Sequence, residues 1–128
     1  MTRGLADTSV FVARESGRPL DIALLPEELS LSVITAGELR AGVLSAGDLD
    51  ARDRRLRTLS WAMGLEVVSV DQVVADAWAR LRIELRDRGL RMPVNDSWIA
   101  ATAIALDVPL VTQDDDHIEV SGLRIIRV

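Results

Sequence analysis

Four separated segments of this sequence each follow an apolar or β-branched run with a carboxylate. Asp7 comes directly after Leu5-Ala6, and Glu38 lies one helical turn beyond Ser32-Val33-Ile34. Asp96 opens a helical pattern, and Asp114 and Asp116 follow Val111-Thr112. Taken singly, each acid has an ordinary account. Asp7 and Asp96 sit where a helix N-cap is wanted, and Asp is a preferred cap. Glu38 fits a solvated helix position, and Asp114 to Asp116 fit a polar turn. Taken together, all four positions carry acid and none carries a base. Ligands of open parallel α/β sheets bind outside the carboxyl ends of the strands, where these segments point. Gathered carboxylates repel and raise one another's pKa, so a fold that collects them calls for a cation. All-oxygen ligands select Mg²⁺ or Mn²⁺ over zinc. Such an ion lowers the pKa of a bound water and neutralises charge developing on a phosphate, which is the chemistry of phosphodiester hydrolysis. His117, the only histidine, reads as a surface residue just past the site rather than a ligand.

Composition removes the main rivals. The chain has no cysteine, which excludes disulfides, cysteine-ligated zinc, iron–sulfur clusters and thiol catalysis. All 15 of its basic residues are Arg, so any step that needs an ammonium group is excluded, the P-loop lysine and Schiff bases included. That also counts against phosphoryl transfer through an aspartyl intermediate on Asp7, a chemistry that places a Lys near the acid. Net charge is −5, unlike a protein that merely coats nucleic acid.

The elements that must position the acids alternate along the chain. Strands are expected at Gly4–Ala6, Leu29–Ile34, Glu66–Ser69, Pro109–Thr112 and Arg124–Val128. Helices are expected near Ser9–Arg14, Pro19–Leu25, Ala36–Leu44, Leu49–Met63, Val70–Asp87 and Ser97–Leu106. This alternation predicts an α/β fold: a mainly parallel, twisted sheet of four to five strands flanked by helices. In the helix near 70–87, Val70, Val74, Ala77, Trp78, Leu81 and Leu85 share one side, and Asp76–Arg80 and Glu84–Arg88 form i,i+4 pairs on the other. The Trp residues at 61, 78 and 98 sit in apolar helical patterns and read as packing residues. No linker or repeat interrupts the 128 residues, 48% of them apolar, so one domain over 1–128 is expected. The longest uncharged stretches, Leu29–Gly37 and Ser97–Leu106, fall far below the ~20 residues of a membrane span. No signal-peptide pattern is visible, and the expected location is the cytoplasm.

With these residues placed, the sequence resembles the PIN-domain ribonucleases, and among them the VapC-type toxins of bacterial toxin–antitoxin pairs. Leu5-Ala6-Asp7-Thr8-Ser9-Val10 looks like the family's opening strand with its first acid. Ser32 to Gly42, with Glu38, looks like the second motif; Asn95 to Ala103 and Leu110 to Asp114 look like the third and fourth. The resemblance implies a PIN-like fold in which Asp7, Glu38, Asp96 and Asp114 hold the catalytic Mg²⁺, for which Mn²⁺ can substitute. It implies that Asp116 is a further metal-site acid and that Thr112 helps to position the site. It also implies an RNA substrate, a homodimer, and a cognate antitoxin that pushes a segment, often with an Arg, into the acidic pocket. The sequence departs from the pattern at His117, where an aromatic is common, and at Gln113, where Arg or Asn is frequent.

RNA must still reach an acidic site on an acidic chain. Arg52 to Arg57 holds four Arg against one Asp, and Arg80 to Arg91 holds five Arg against two acids. Arg80 and Arg88 are assigned to helix-surface ion pairs. Arg52, Arg54, Arg55, Arg57 and Arg91 are candidate phosphate contacts. The competing reading is a catalytically silent PIN-fold interaction module, which would have lost the main acids; all four are present.

Overall fold

The computed structural model describes residues 1–115 and 118–128; Asp116 and His117, both discussed above, lie outside the described residues. The order begins with β1 (Arg3–Ala6) and α1 (Thr8–Glu15), then a single 3₁₀ turn at Ile22–Leu24. Next come β2 (Glu28–Ser32), α2 (Val33–Leu44), α3 (Leu49–Met63), β3 (Glu66–Val68) and α4 (Gln72–Asp87). The last elements are α5 (Val94–Leu106), β4 (Leu110–Thr112) and β5 (Ile125–Arg127). All strand pairs are parallel, in the order β3-β2-β1-β4-β5. The expected α/β class and parallel sheet are therefore present.

The pleat divides the core. Leu5 of β1 is in register with Leu110 of β4, and both pack against Ile99 and Ala103 of α5. The next pair, Ala6 and Val111, faces the opposite side and packs with Val10 and Phe11 of α1 and Leu39 of α2. Successive strand residues point to opposite faces, so two-residue apolar steps suffice to bury both sides of these short strands. A third cluster joins Leu81 and Leu85 of α4 to Ala100 of α5 and Val120. Gly4 is required by crowding: a Cβ there would stand 2.7 Å from Val111 Cγ2 and 2.8 Å from Pro26 Cγ.

Caps set the helix limits. Asp48 accepts from Ala51 N–H at 2.7 Å and Asp71 from Val74 N–H at 2.9 Å, each satisfying one orphan donor of a first turn. Three sequence expectations are corrected. The strand expected over Leu29–Ile34 stops at Ser32, whose hydroxyl accepts the Ile34 N–H at 3.0 Å and starts α2 at Val33. The helix expected over Pro19–Leu25 is only the Ile22–Leu24 turn, in which no residue is buried. Its apolar residues Ile22 and Leu24 stay exposed rather than docking, and Pro26 forces Leu25 into extended backbone (φ −66°, ψ 131°). Val70 lies outside α4 because Asp71 caps it, and Val70 is exposed. The Asp76–Arg80 and Glu84–Arg88 pairs form at 3.2 and 3.1 Å.

Candidate active site

The chain leaves β1 and enters α1 at Asp7, which caps that helix: one carboxylate oxygen accepts from Ser9 N–H at 2.9 Å and also from the Ser9 hydroxyl. Asp7 N–H in turn donates to the Val111 carbonyl at 2.9 Å, tying the acid to the end of β4. Two hydroxyls complete this junction. Ser9 Oγ accepts the Gln113 N–H at 2.9 Å and stands 3.3 Å from Thr112 Oγ1. Thr112, fully buried, accepts the Asp114 N–H at 3.1 Å. The segment carrying Asp114 is thus laced to the segment carrying Asp7. Neighbouring parallel strands place both acids at the same sheet edge.

Glu38 and Asp96 arrive from helices. Glu38 lies on α2, where it accepts from the Thr8 hydroxyl at 2.7 Å; Thr8 Oγ1 is also 3.0 Å from Thr35 Oγ1. Asp96 does not cap its helix, contrary to the expectation for a helix-opening Asp. The cap position of α5 is Pro93, with no side-chain cap bond, and Asp96 lies in the first turn. Among the described residues no group donates a hydrogen bond to its carboxylate. Its neighbour Ser97 is fixed by Trp78 Nε1–H at 3.0 Å, and Trp78 stacks on Trp98 with ring centroids 4.3 Å apart. The tryptophans are packing residues, and this pair holds α4 to the start of α5.

Asp7, Asp96 and Asp114 line one pocket of about 100 Å³, walled on its apolar side by Met92, Ile99 and Leu123. Electrostatics couple the acids across it. Burial pushes the Asp7 carboxyl up, against the hydrogen bonds of Ser9 and Thr112 that pull it down, and the charge of Asp114 adds to the rise. Asp96 is also raised, first by desolvation and then by the charges of Glu38, Asp7 and Asp114. All four acids therefore share one electrostatic neighbourhood, the mutual repulsion that a cation relieves.

The donor set is all oxygen, which suits a hard divalent ion. Among the described residues, however, no group of three Asp, Glu or His side chains is arranged to hold an ion directly. The all-oxygen character of the pocket acids suits an ion such as Mg²⁺, which keeps several waters and takes one or two carboxylates. The described residues do not form a closed, fully protein-ligated cage.

The candidate phosphate contacts separate. Arg55 donates to the Gly42 carbonyl at 2.7 Å, fastening α3 to α2. Arg54 and Arg57 line a different groove, with Arg14 and Trp61. Arg52 is exposed on α3, and Arg91 is exposed next to Met92 of the acid pocket. Sequence reasoning missed Thr8, Ser9 and Thr35. Only Thr8 and Ser9 carried a local signal, as hydroxyls directly after an acid at a strand-to-helix junction; their partners Thr35 and Thr112 lie 27 and 103 residues away.

Fold and site together define a class. The chain belongs to the PIN-domain family, whose model matches residues 5–123. Its relatives include ribonuclease VapC5 of Mycobacterium tuberculosis, 48% identical over 98% of this chain and 95% of the relative. Ribonuclease VapC4 of the same organism is 44% identical over 98% of this chain and 97% of the relative. Among solved structures, VapBC-5 of Mycobacterium tuberculosis, a member of the VapBC family of toxin–antitoxin systems, superposes with a TM-score of 0.91 at 44% identity over the whole of both chains. DNA-bound VapBC from Salmonella typhimurium gives a TM-score of 0.85 at 25% identity, covering 99% of this chain and 98% of that one.

Proposed function

We propose that this chain is a Mg²⁺-dependent endoribonuclease and the toxin of a type II toxin–antitoxin pair. The observation that carries the reading is the convergence of Asp7, Asp96 and Asp114 on one pocket, with Glu38 coupled to it electrostatically. Full-length similarity to proteins named as VapC ribonucleases supplies the reaction and the substrate class.

Asp7, Glu38, Asp96 and Asp114 would hold the ion and its bound waters between them; Asp116, outside the described residues, is a further acid for the same site. When bound, Mg²⁺, or Mn²⁺ in its place, acidifies a water and neutralises charge on the phosphodiester. The chain's own contribution is placement. Ser9 and Thr112 fix Asp7 relative to Asp114, and Thr8 fixes the Glu38 carboxylate. The raised Asp7 and Asp96 carboxyls must lose their protons for the ion to enter, so metal affinity falls as pH drops.

An acidic pocket of this kind accepts a guanidinium, so an antitoxin segment presenting an Arg would silence it by offsetting carboxylate repulsion. The active unit would be a homodimer acting on RNA in the cytoplasm; among the described residues no helix is long and apolar enough to cross a membrane.

The silent-module reading keeps one supporting observation, the lack of three described side chains arranged to hold an ion directly. The test is growth arrest and RNA cleavage by the purified chain, with and without Mg²⁺, against Asp7→Asn and Asp96→Asn. Metal-dependent cleavage lost in both variants is expected; full cleavage by both removes the proposal.

A further inference from the structure

A groove of about 340 Å³ lies between α1 and α3, lined by Arg14, Glu15, Arg54, Arg57, Thr58 and Trp61. It shares no residue with the acid pocket. Arg54, Arg57, Thr58 and Trp61 are spaced at i, i+3, i+4 and i+7 and so occupy one face of α3. Arg14 comes from α1, and its guanidinium lies 3.8 Å above the Trp61 ring. Stacking of this kind holds the planar fork in one orientation and leaves its N–H edges available.

Charge is what sets the groove apart on an acidic chain. Three Arg face one Glu, a local excess of two positive charges against a total of −5. None of the ion pairs among the described residues involves Arg14, Arg54 or Arg57, whereas Arg80 and Arg88 on α4 are paired. Exposed guanidiniums that form no ion pair, with only Glu15 in the groove and Asp50 and Asp53 one turn before Arg54 and Arg57, repel one another, and an anion relieves that repulsion.

The location selects among anions. α1 starts at its cap, Asp7, in the acid pocket, and Arg14 is seven residues further on. At the helical rise the Arg14 backbone is about 10 Å along the α1 axis from Asp7. An extended single strand with one phosphate at the carboxylates covers an axial offset of that size in a few nucleotides. We propose that Arg14, Arg54 and Arg57 form a phosphate subsite for the single-stranded RNA substrate, away from the scissile bond. Trp61 serves as the platform that orients Arg14; Arg14 covers one face of its ring and Phe11 packs at 5.2 Å, so it does not stack a base. This proposal rests on the ribonuclease reading and supplies the positive surface that an acidic enzyme needs to hold a polyanion.

The test is binding of a short, labelled single-stranded RNA to the full chain in EDTA, read by fluorescence anisotropy across a salt series. Four proteins are compared: the wild type, the double variant Arg54→Ala/Arg57→Ala, Arg14→Ala, and Arg80→Ala as a control for loss of one charge elsewhere. The double variant is expected to bind about tenfold more weakly or worse. Its slope of log affinity against log salt should fall by about 1.4, at about 0.7 per lost phosphate contact on a single strand. Arg14→Ala should show about half that slope change, and Arg80→Ala none. Thermal melts verify that each variant is folded, since all these side chains are exposed. If the wild type binds and cleaves RNA but the double variant matches it in affinity and slope, the subsite is overturned and the ribonuclease reading stands. If the wild type neither binds nor cleaves RNA, both fall. If RNA binding is unchanged while a polyglutamate peptide binds the wild type and not the double variant, the groove takes an acidic protein segment and the proposal is wrong.

Discussion

Asp7 and Asp96 line the same pocket, and the chain holds them in opposite ways. Asp7 is the N-cap of α1 and is gripped by Ser9, with Thr112 behind it. Asp96 lies inside the first turn of α5, caps nothing and is exposed. Both carboxyls are raised. For Asp7 the chief opposing effect is hydrogen bonding, which recovers part of the burial cost; for Asp96 nothing opposes desolvation and three neighbouring acids. Asp7 therefore serves fold and site together, whereas Asp96 is kept at an electrostatic cost with no structural return. A residue of the second kind is what a functional requirement leaves behind.

The largest expected effect treats the two acids alike. Asp7→Asn and Asp96→Asn should each lower Mg²⁺-dependent RNA cleavage by more than the roughly 10–100-fold typical of residues that support ligands, with circular dichroism unchanged. Ser9→Ala should fall within that 10–100-fold range. It leaves every carboxylate present but frees Asp7 from Gln113 and Thr112, so its loss should appear in metal affinity as well as in rate.

Stability separates the acids. Asn caps helices as well as Asp, and Ala does not, so Asp7→Asn should be more stable than Asp7→Ala by about 1 kcal/mol in denaturant unfolding. The corresponding Asn and Ala variants at position 96 should differ far less, because no cap is lost. Equal gaps at both positions would erase the contrast. The pH dependence sharpens it further. A carboxyl raised in the folded state holds its proton more tightly there, so its stabilising effect is complete at low pH and is lost as pH rises through the folded value. Removing the Asp96 charge should flatten that decline, and Asp96→Asn should melt above the wild type at neutral pH. The smallest effect lies outside the pocket: Asp76→Ala, which breaks an exposed i,i+4 pair with Arg80, should cost no more than about 0.5 kcal/mol.

Much of this was legible in the sequence. The helix limits of α3 were readable because Asp48 caps it and Gly64 ends it. The strand–helix alternation fixed the α/β class, and the strand-end rule placed Asp7 and Asp114 at one edge. What failed did so for local reasons. Ser32 ends a β-branched run that looks like strand through Ile34, and only its hydroxyl bond to Ile34 N–H reveals the switch to helix. Leu20 to Leu25 has apolar content but is bracketed by Pro19 and Pro26, and only its ends, Leu20 and Leu25, pack against the core while Ile22 to Leu24 stay exposed. Asp96 looked like a cap because Asn95-Asp96-Ser97 is a cap-like string, yet Pro93 starts the helix earlier. The hydroxyl lacing by Thr8, Ser9 and Thr35 depends on three-dimensional proximity across 27 residues or more for Thr35 and 103 for Thr112, which no local pattern encodes. The split between Arg55, used to join two helices, and Arg54 and Arg57, left facing a groove, likewise needs the helix phase.

The claim on which all else depends is that Asp7 and Asp96 act jointly on one divalent ion. Calorimetric titration of Mn²⁺ into the full chain and into Asp7→Asn and Asp96→Asn measures it without any substrate. Saturable binding by the wild type that is lost or greatly weakened in both variants is the predicted result. Binding that is absent in the wild type, or equal in all three proteins, contradicts it.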